Sequence, residues 1–177
     1  INYIRTHVNH GDEFKYIVPN GNIQYWNTLG FNDESWDVGL SSFGYGDNDD
    51  ETQLPFGTIS VYLRKKFSID DASLIQGLIL DVDYDDGFVA YINGVEIARA
   101  NINGSPPSYN ATTPAEHEAL IYDGGIPVRY SIDNPQDFLV DGENILSIQV
   151  HNISDESSDL TIIPFLSAVY SDSTDEG

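Results

Sequence analysis

Carboxylate side chains are concentrated in three short polar segments of the sequence, residues 46–53, 85–87 and 152–159. Each segment also carries Gly, Asn or Ser, which are residue types typical of turns. Carboxylate, amide and backbone carbonyl oxygens are the ligands that calcium takes in proteins. The segments therefore predict a calcium site, with these candidate ligands: Asp47, Asp49, Asp50, Asp86, Asp155 and Asp159.

Each segment also has an interpretation that needs no metal. Residues 85–87 read Asp-Asp-Gly, an ordinary turn sequence. Residues 47–51 begin with the Asp-x-Asp spacing of an EF-hand, but the glycine and the distant glutamate of that loop are missing, so an EF-hand is excluded. Residues 157–159, Ser-Ser-Asp, are equally compatible with the end of a polar loop.

The charge balance limits the classes of partner. Lys and Arg together number 7, Asp and Glu 29, and the formal net charge is −22. Such a field repels nucleic acid and anionic membrane surfaces and attracts cations. The same excess of acid is also explained by solubility in a salty medium, and the two interpretations are compatible. The sequence has no Cys, which excludes disulfides and thiolate zinc sites.

Other catalytic or metal-binding chemistry finds little support. His7 and His10 are three residues apart, without a helical pattern around them or a third ligand. His151 ends a predicted strand, which favours a hydrogen-bonded structural role over that of a base. The sequence contains no Gly-x-Ser-x-Gly elbow, and no acid lies in an evident apolar pocket. We therefore expect no catalysis, with a jelly-roll lyase or hydrolase as the less favoured alternative.

Short runs of alternating apolar and polar residues predict the strands that position these loops. Residues 78–84 and 145–150 each place their apolar side chains on one face. Residues 88–92 and 95–99 flank Asn93-Gly94, a strong hairpin signal. Many short strands with few helices predict an all-β, antiparallel two-sheet β-sandwich of the jelly-roll type.

Two of the predicted strands carry an interruption. Lys65 breaks the apolar face of residues 61–67, so this strand is expected either at a sheet edge or buried only at its ends. Pro164 lies inside residues 160–170, which predicts an edge position or a bulge, because proline donates no backbone hydrogen bond.

Strand direction predicts where the polar loops meet. Consecutive antiparallel strands alternate in direction, so their loops alternate between the two ends of a sandwich. Following the strands from residue 61 places four polar loops at one end: residues 46–53, 85–87, 100–107 and 152–159. The pattern does not define the strands within residues 108–140. Carboxylates gathered in this way repel one another unless a cation neutralises them.

Aromatic and polar side chains near these loops are the candidates for binding a carbohydrate. Sugar rings pack their C–H faces on Tyr and Trp. Tyr45 adjoins the first loop, where a core role and a binding role are equally expected, and Tyr109 follows a Pro-Pro pair. Arg99 is suited to sugar hydroxyls or to a salt bridge with a neighbouring acid. The candidate ligand-binding residues are Tyr45, Arg99, Asn101, Tyr109 and Asn152.

The order of several short motifs resembles a known family. The motifs are residues 31–36 (FNDESW), 43–47 (FGYGD), 63–67 (LRKKF), 83–87 (DYDDG), 91–99 (YINGVEIAR), 144–146 (NIL) and 157–160 (SSDL). Over about residues 14–170 the chain resembles the galactose-binding-domain-like jelly rolls attached to large secreted bacterial enzymes and surface proteins. The resemblance implies the fold and, in many such modules, a structural calcium. Its members bind sugars, proteins, lipids or no known ligand. Trp26 and Trp36 fall where the family has structural aromatics, so both are expected in the core.

These observations predict one sandwich domain over residues 1–170, followed by an acidic tail or linker over residues 171–177. The expected function is that of a non-catalytic, calcium-binding carbohydrate-binding module of a larger secreted or cell-surface protein. Its expected partners are a polysaccharide or glycan and the other domains of the parent chain, with no nucleic acid and no membrane insertion. The alternative is a structural or adhesive spacer without sugar affinity.

Overall fold

The computed structural model describes residues 2–172, which form two sheets packed face to face. Within this range the regular structure consists of strands and three short 3₁₀ turns, without an α-helix. The twelve strands are β1 (Asn2–Val8), β2 (Glu13–Ile17), β3 (Asp37–Leu40), β4 (Phe43–Tyr45), β5 (Thr52–Gln53), β6 (Ser60–Ile69), β7 (Ile75–Asp85), β8 (Gly87–Ile92), β9 (Val95–Ala100), β10 (Val128–Ile132), β11 (Gly142–His151) and β12 (Leu160–Ser171). The predicted all-β sandwich is confirmed.

Each sheet has six strands. In the first sheet the order is β10-β7-β12-β4-β5, with β1 also paired to β12. In the second sheet the order is β3-β2-β6-β11-β8-β9. All ladders are antiparallel except the short pairing of β4 with β5. Strands that follow one another in the chain often lie in opposite sheets, as jelly-roll connections require.

The main core fills the space between the two sheets. Leu78, Leu80 and Val82 of β7 face it, as the alternation predicts. From Asp81 onward the alternate positions of β7 are acidic: Asp81 pairs with Arg129, and buried Asp83 accepts hydrogen bonds from two backbone N–H groups. One face of the strand therefore packs apolar side chains into the core, while the other binds neighbouring segments through hydrogen bonds and an ion pair.

A second, smaller aromatic core lies on the outer face of the second sheet. It contains Trp26, Trp36, Tyr62 and Tyr91, and Trp26 stacks on Tyr62 with ring centroids 4.5 Å apart. The prediction that both tryptophans lie in the core is confirmed. Two polar residues of β11 on this outer side, Ser147 and Gln149, are fully buried as well, because the long connections of the chain cover the sheet.

The Asn93-Gly94 hairpin forms as predicted. β8 pairs with β9 through Ile92 and Val95, and both turn residues have positive φ, 50° and 82°. This is the backbone of a two-residue turn that Asn-Gly favours, since both types tolerate left-handed conformations. The Asn93 side chain also donates to the Phe138 carbonyl, 2.8 Å away, and so ties the turn to the next connection.

Both interrupted strands lie inside a sheet, which corrects the edge interpretation. β6 pairs with β11 along its whole length and with β2 at residues 62–64. β12 pairs with β7 on one side and, on the other, with β4 at residues 160–162 and β1 from residue 166 onward. Pro164 lies between these two partners, where no described strand occupies that side. Proline is therefore tolerated at an interior strand, because the ladder is interrupted there.

The segment that the sequence pattern left undefined, residues 108–140, contributes one strand. β10 pairs with β7, and the remainder is irregular apart from two 3₁₀ turns, Ile121–Asp123 and Pro135–Asp137. At the carboxyl terminus, Ser171 is still paired in β12, so the predicted tail boundary falls one residue inside the strand. Asp172 follows β12 outside any strand, and residues 173–177 of the predicted tail lie outside the described residues. No helix among residues 2–172 has the length and apolar character to cross a membrane.

Candidate metal site at the acidic pole

The four polar loops predicted to meet do lie together at one end of the sandwich. Ile153 donates its backbone N–H to the Asp86 carboxylate at 2.9 Å, and the Asn101 amide donates to the Asp86 carbonyl at 3.1 Å. Gly46 packs directly on residues 158–159, where a Cβ atom would lie 2.3 Å from the Ser158 carbonyl oxygen. These contacts join loops that are distant in sequence. We call the surface formed by residues 46–50, 85–86, 116–118 and 153–159 the acidic pole.

Three carboxylates of the acidic pole approach one another closely. Oxygen atoms of Asp85, Glu118 and Asp159 all lie within 4.8 Å of each other. Oxygens bound to one calcium ion at 2.3–2.6 Å are separated by at most about 5 Å, twice the bond length. The three carboxylates therefore have the spacing of ligands to one shared cation.

Asp85 is the innermost member of this group. Its residue is 2% exposed, and its Oδ1 is buried without a hydrogen-bond partner among residues 2–172. Burial raises the pKa of its carboxyl strongly, and the neighbouring Asp86 and Asp159 raise it further. An ionised carboxylate in this position is costly unless an opposite charge binds it.

Asp86 was the predicted ligand in this turn, but its side chain bonds to backbone N–H groups. Its two carboxylate oxygens accept hydrogen bonds from the backbone N–H groups of His117 and Ile153, both at 2.9 Å. Asp86 thus joins the connection before β10 to the loop after β11. Asp85, the last residue of β7, turns its carboxylate toward Glu118 and Asp159 instead.

Glu118 was not among the predicted ligands, because it lies in the segment without a strand pattern. Two contacts of the preceding residue position it: the His117 N–H binds Asp86, and the His117 ring stacks on Tyr84 with centroids 3.9 Å apart. The available signal was the acidic sequence Glu116-His117-Glu118, which has no periodicity. Burial raises the pKa of the Glu118 carboxyl, with Asp159 and Asp86 adding to the effect.

Asp50 is a second buried acid of the acidic pole. Both its carboxylate oxygens are buried without hydrogen bonds of normal geometry in the described chain. Burial and the nearby Asp49 raise its pKa to about 7, while the Ser42 and Thr161 hydroxyls lower it in part. A Cβ atom at Gly44 would meet the Asp50 carboxylate at 2.5 Å, so only glycine leaves room for this acid.

The remaining predicted ligands lie farther out on the acidic pole. Asp47 is half-buried, and its pKa is raised by burial and by Asp159 and Asp49. Asp49 and Asp155 are exposed. Of the predicted ligands, only Asp159 converges on Asp85. Asp47 lies near Asp159, Asp50 lies near Asp47 and Asp49, and Asp49 and Asp155 lie at the rim.

The predicted sugar-binding residues are largely engaged within the protein. Tyr45 is buried, its hydroxyl donates to the Ser157 carbonyl at 2.9 Å, and the buried Asn152 amide donates to that hydroxyl. Arg99 pairs with Glu96 and donates to two backbone carbonyls. The Asn101 amide bonds to the carbonyls of residues 86 and 115. Tyr109 is half-buried against the aromatic core.

The chemistry of the donor set fits a hard cation. All three converging side chains are carboxylates, and the nearest histidine, His117, directs its Nδ1 to the Tyr84 carbonyl instead. Oxygen ligands favour calcium or magnesium over zinc or copper. Calcium accepts irregular coordination, whereas magnesium demands near-ideal octahedral geometry. Ligands drawn from a strand end and two separate loops suit calcium better.

Solved structures with the same fold are parts of much larger enzymes. A Bacteroides uniformis beta-glucuronidase 2 aligns with 95% of this chain and 18% of its own, at 14% identity and a TM-score of 0.59. A beta-glucuronidase from glycoside hydrolase family 2 aligns with 93% of this chain and 18% of its own, at 17% identity and a TM-score of 0.59. An uncultured Clostridium sp. beta-glucuronidase aligns with 96% of this chain and 29% of its own, at 17% identity and a TM-score of 0.55.

These similarities show a shared fold. The chain spans less than a third of the length of each of the three enzymes. Another matching structure, at a TM-score of 0.57 and 15% identity, is described as a calcium binding mutant of the Bacteroides uniformis enzyme. No protein-family model and no curated protein matches the sequence.

Proposed function

We propose that this chain is a calcium-binding, non-catalytic β-sandwich module of a larger carbohydrate-active or surface protein. The observation that carries the proposal is the convergence of Asp85, Glu118 and Asp159 within 4.8 Å, with one Asp85 oxygen buried and unpartnered among residues 2–172. Calcium bound there neutralises the group and holds three loops of the acidic pole in one arrangement. The position of similar folds within glycosidase chains supports the accessory role.

Calcium affinity is tested by thermal unfolding with EGTA and with added calcium. A ligand that binds only the folded state at one hundred times its Kd stabilises it by about 2.7 kcal/mol. We therefore expect a clear rise in Tm with calcium, and a single-site heat signal by isothermal titration calorimetry. Magnesium at the same concentration is expected to raise the Tm less.

Matched variants locate the site. Asp85→Asn, Glu118→Gln and Asp159→Asn each remove one charge from the acidic pole and are expected to weaken calcium binding at least about tenfold. Asp133→Asn removes one exposed charge beyond β10, at the opposite end of the sandwich, and is expected to bind calcium normally. Equal binding by all four variants, or no binding by the parent protein, would remove the metal from the proposal.

We also propose that the module binds a glycan and is secreted or located at the cell surface. The spacer alternative is favoured by one observation: Tyr45, Arg99 and Asn152 already bond to neighbouring groups, so the acidic pole offers few free partners to a sugar. A calcium-stabilised protein without affinity for any glycan would support the spacer. Hydrolysis of an aryl β-glucuronide by the isolated chain would contradict the non-catalytic role.

A further inference from the structure

A concave groove lies on the outer face of the second sheet. Residues 22–27 form one wall, residues 106–108 form the other, and Tyr62 of β6 forms part of the floor. The groove encloses about 460 Å³, which lies within the usual range for small-ligand pockets. We call it the aromatic groove.

The two walls of the aromatic groove are fastened together. The Asn22 side-chain oxygen accepts a hydrogen bond from the Tyr109 N–H at 2.8 Å. The Ser108 hydroxyl lies 3.3 Å from the same oxygen and 2.8 Å from the Asn110 side-chain oxygen, to which it donates its one proton. The first wall is also held from below, since the buried Arg64 side chain donates to the Trp26 and Thr28 carbonyls. The shape of the groove is therefore built into the fold, as ligand pockets usually are.

The lining of the aromatic groove is uncharged. Charged residues make up 20% of the chain, yet none lines the groove. Three amide side chains, Asn22, Gln24 and Asn27, accompany the Ser108 hydroxyl. Amides and hydroxyls donate and accept hydrogen bonds without charge, so they match the hydroxyl groups of a neutral ligand.

Aromatic surface supplies the apolar part of the groove. Trp26 and Tyr62 stack at the floor, and both are almost fully buried as part of the aromatic core. Tyr25 is different: it is 75% exposed, and its φ of 61° lies in the left-handed region. A large aromatic side chain kept in solvent on an unfavourable backbone adds little to core packing, and such positions often serve binding.

We propose that the aromatic groove binds a neutral sugar residue, with Tyr25 packing on the ring and the amides bonding to its hydroxyls. The inference rests on the carbohydrate-binding part of the proposed function and assigns it a site away from the acidic pole. A neutral ligand is favoured over an acidic sugar because the groove has no cationic side chain and the net charge of −22 repels anions. Mixed aromatic and uncharged polar lining favours a sugar over a purely apolar ligand.

The test uses the calcium-loaded protein and defined sugars. Cellobiose, lactose, maltose, xylobiose and mannobiose are titrated into ¹⁵N-labelled protein, with glucuronic acid as the acidic comparison. We expect at least one neutral disaccharide to shift the amide resonances of residues 22–27 and 106–109, and glucuronic acid to leave them unchanged. Tryptophan fluorescence gives a second readout, because Trp26 lies at the floor.

Two variants separate binding from folding. Tyr25→Asn keeps a residue that tolerates the left-handed backbone and is expected to weaken sugar binding about tenfold or more without lowering the Tm. Tyr3→Asn replaces a tyrosine that is 49% exposed in β1 of the first sheet, away from the groove, and is expected to bind sugar normally.

Each outcome decides the inference. Shifts confined to the groove and lost in Tyr25→Asn support it. Shifts elsewhere, binding of glucuronic acid alone, unchanged affinity in Tyr25→Asn, or no binding of any disaccharide overturns it. Calcium binding without sugar binding leaves the metal site intact and favours the spacer, whereas sugar binding without calcium binding removes the metal and leaves the groove.

Discussion

Arg64 and Asp85 are both ionisable residues with 1–2% of their surface exposed, and they are surrounded in opposite ways. Arg64 lies in β6 with donors directed at the Asp33 carboxylate, 2.9 Å away, and at the carbonyls of residues 26, 28 and 31. Asp85 lies at the end of β7 among other acids, with one oxygen unpartnered in the described part of the chain.

The difference separates a structural charge from a binding site. Arg64 carries its own counter-ion and fastens residues 26–33 over the second sheet, so nothing further is needed to stabilise it. Among residues 2–172, the charges that act on Asp85 are those of other acids, which is unfavourable in a buried position. A buried carboxylate without a counter-ion lowers the stability of the fold. A role in binding a cation explains why such a carboxylate is present.

The largest effect is expected from removing the partnered charge. Arg64→Met leaves the partly exposed Asp33 carboxylate and three carbonyls without their donor, and each buried acceptor left unpaired costs about 1–3 kcal/mol. Urea unfolding measures the loss, which should be the same with calcium and with EGTA. Arg129→Met removes the exposed pair with Asp81 and is expected to leave the unfolding midpoint unchanged. Equal effects in the two variants would contradict the structural role of Arg64.

A smaller effect of opposite sign is expected at the unpartnered charge. Asp85→Asn replaces a carboxylate by an amide that can donate to Asp86 and Asp159, so the calcium-free protein should gain about 1–3 kcal/mol. The same variant loses the stabilisation by calcium. Urea unfolding in EGTA and in calcium measures both changes. Destabilisation in EGTA would show that Asp85 has a partner of its own, and the contrast with Arg64 would fail.

The smallest effect is expected in the pH dependence of the calcium-free protein. The pKa of Asp50 is raised from 3.8 to about 7, so the folded state keeps a proton that the unfolded chain has lost. Its contribution therefore favours folding at low pH, and this advantage is lost as the pH rises from about 4 to about 7. Asp50→Asn should therefore lower the unfolding free energy at pH 5 relative to that at pH 7 by about 1–2 kcal/mol, compared with the parent protein.

His151 acts in the opposite direction over the same pH range and sharpens this test. Burial lowers its pKa from 6.5 to about 4, while Nδ1 bonds to the Ala111 carbonyl and Nε2 to the Gln149 amide. Its stabilising contribution is present above pH 6.5 and is lost as the pH falls toward 4. In Asp50→Asn the contribution of Asp50, which favours folding at low pH, is absent. Acid should therefore lower the free energy of unfolding of this variant more than that of the parent protein. An identical pH profile in both proteins would show that Asp50 titrates normally.

The alternation of residue types was sufficient to predict the sandwich, the hairpin at Asn93-Gly94 and the meeting of the acidic loops. Each of these depends on local period or strand direction, which a sequence displays directly. The position of β6 and β12 inside their sheets was not predictable in this way. Lys65 predicted an edge strand or one buried only at its ends, and Pro164 predicted an edge or a bulge. Sheet position depends instead on which distant strand pairs with each side.

The identity of the candidate calcium ligands could also be predicted only in part from the sequence. The sequence by itself determined that acids crowd one end of the fold, because turn sequences and strand parity are local properties. Only the tertiary structure decided that Asp85, and not Asp86, faces Glu118 and Asp159. The physical reason is that side-chain direction at a strand end, and the path of a segment without periodicity such as residues 113–118, depend on packing between elements far apart in the chain.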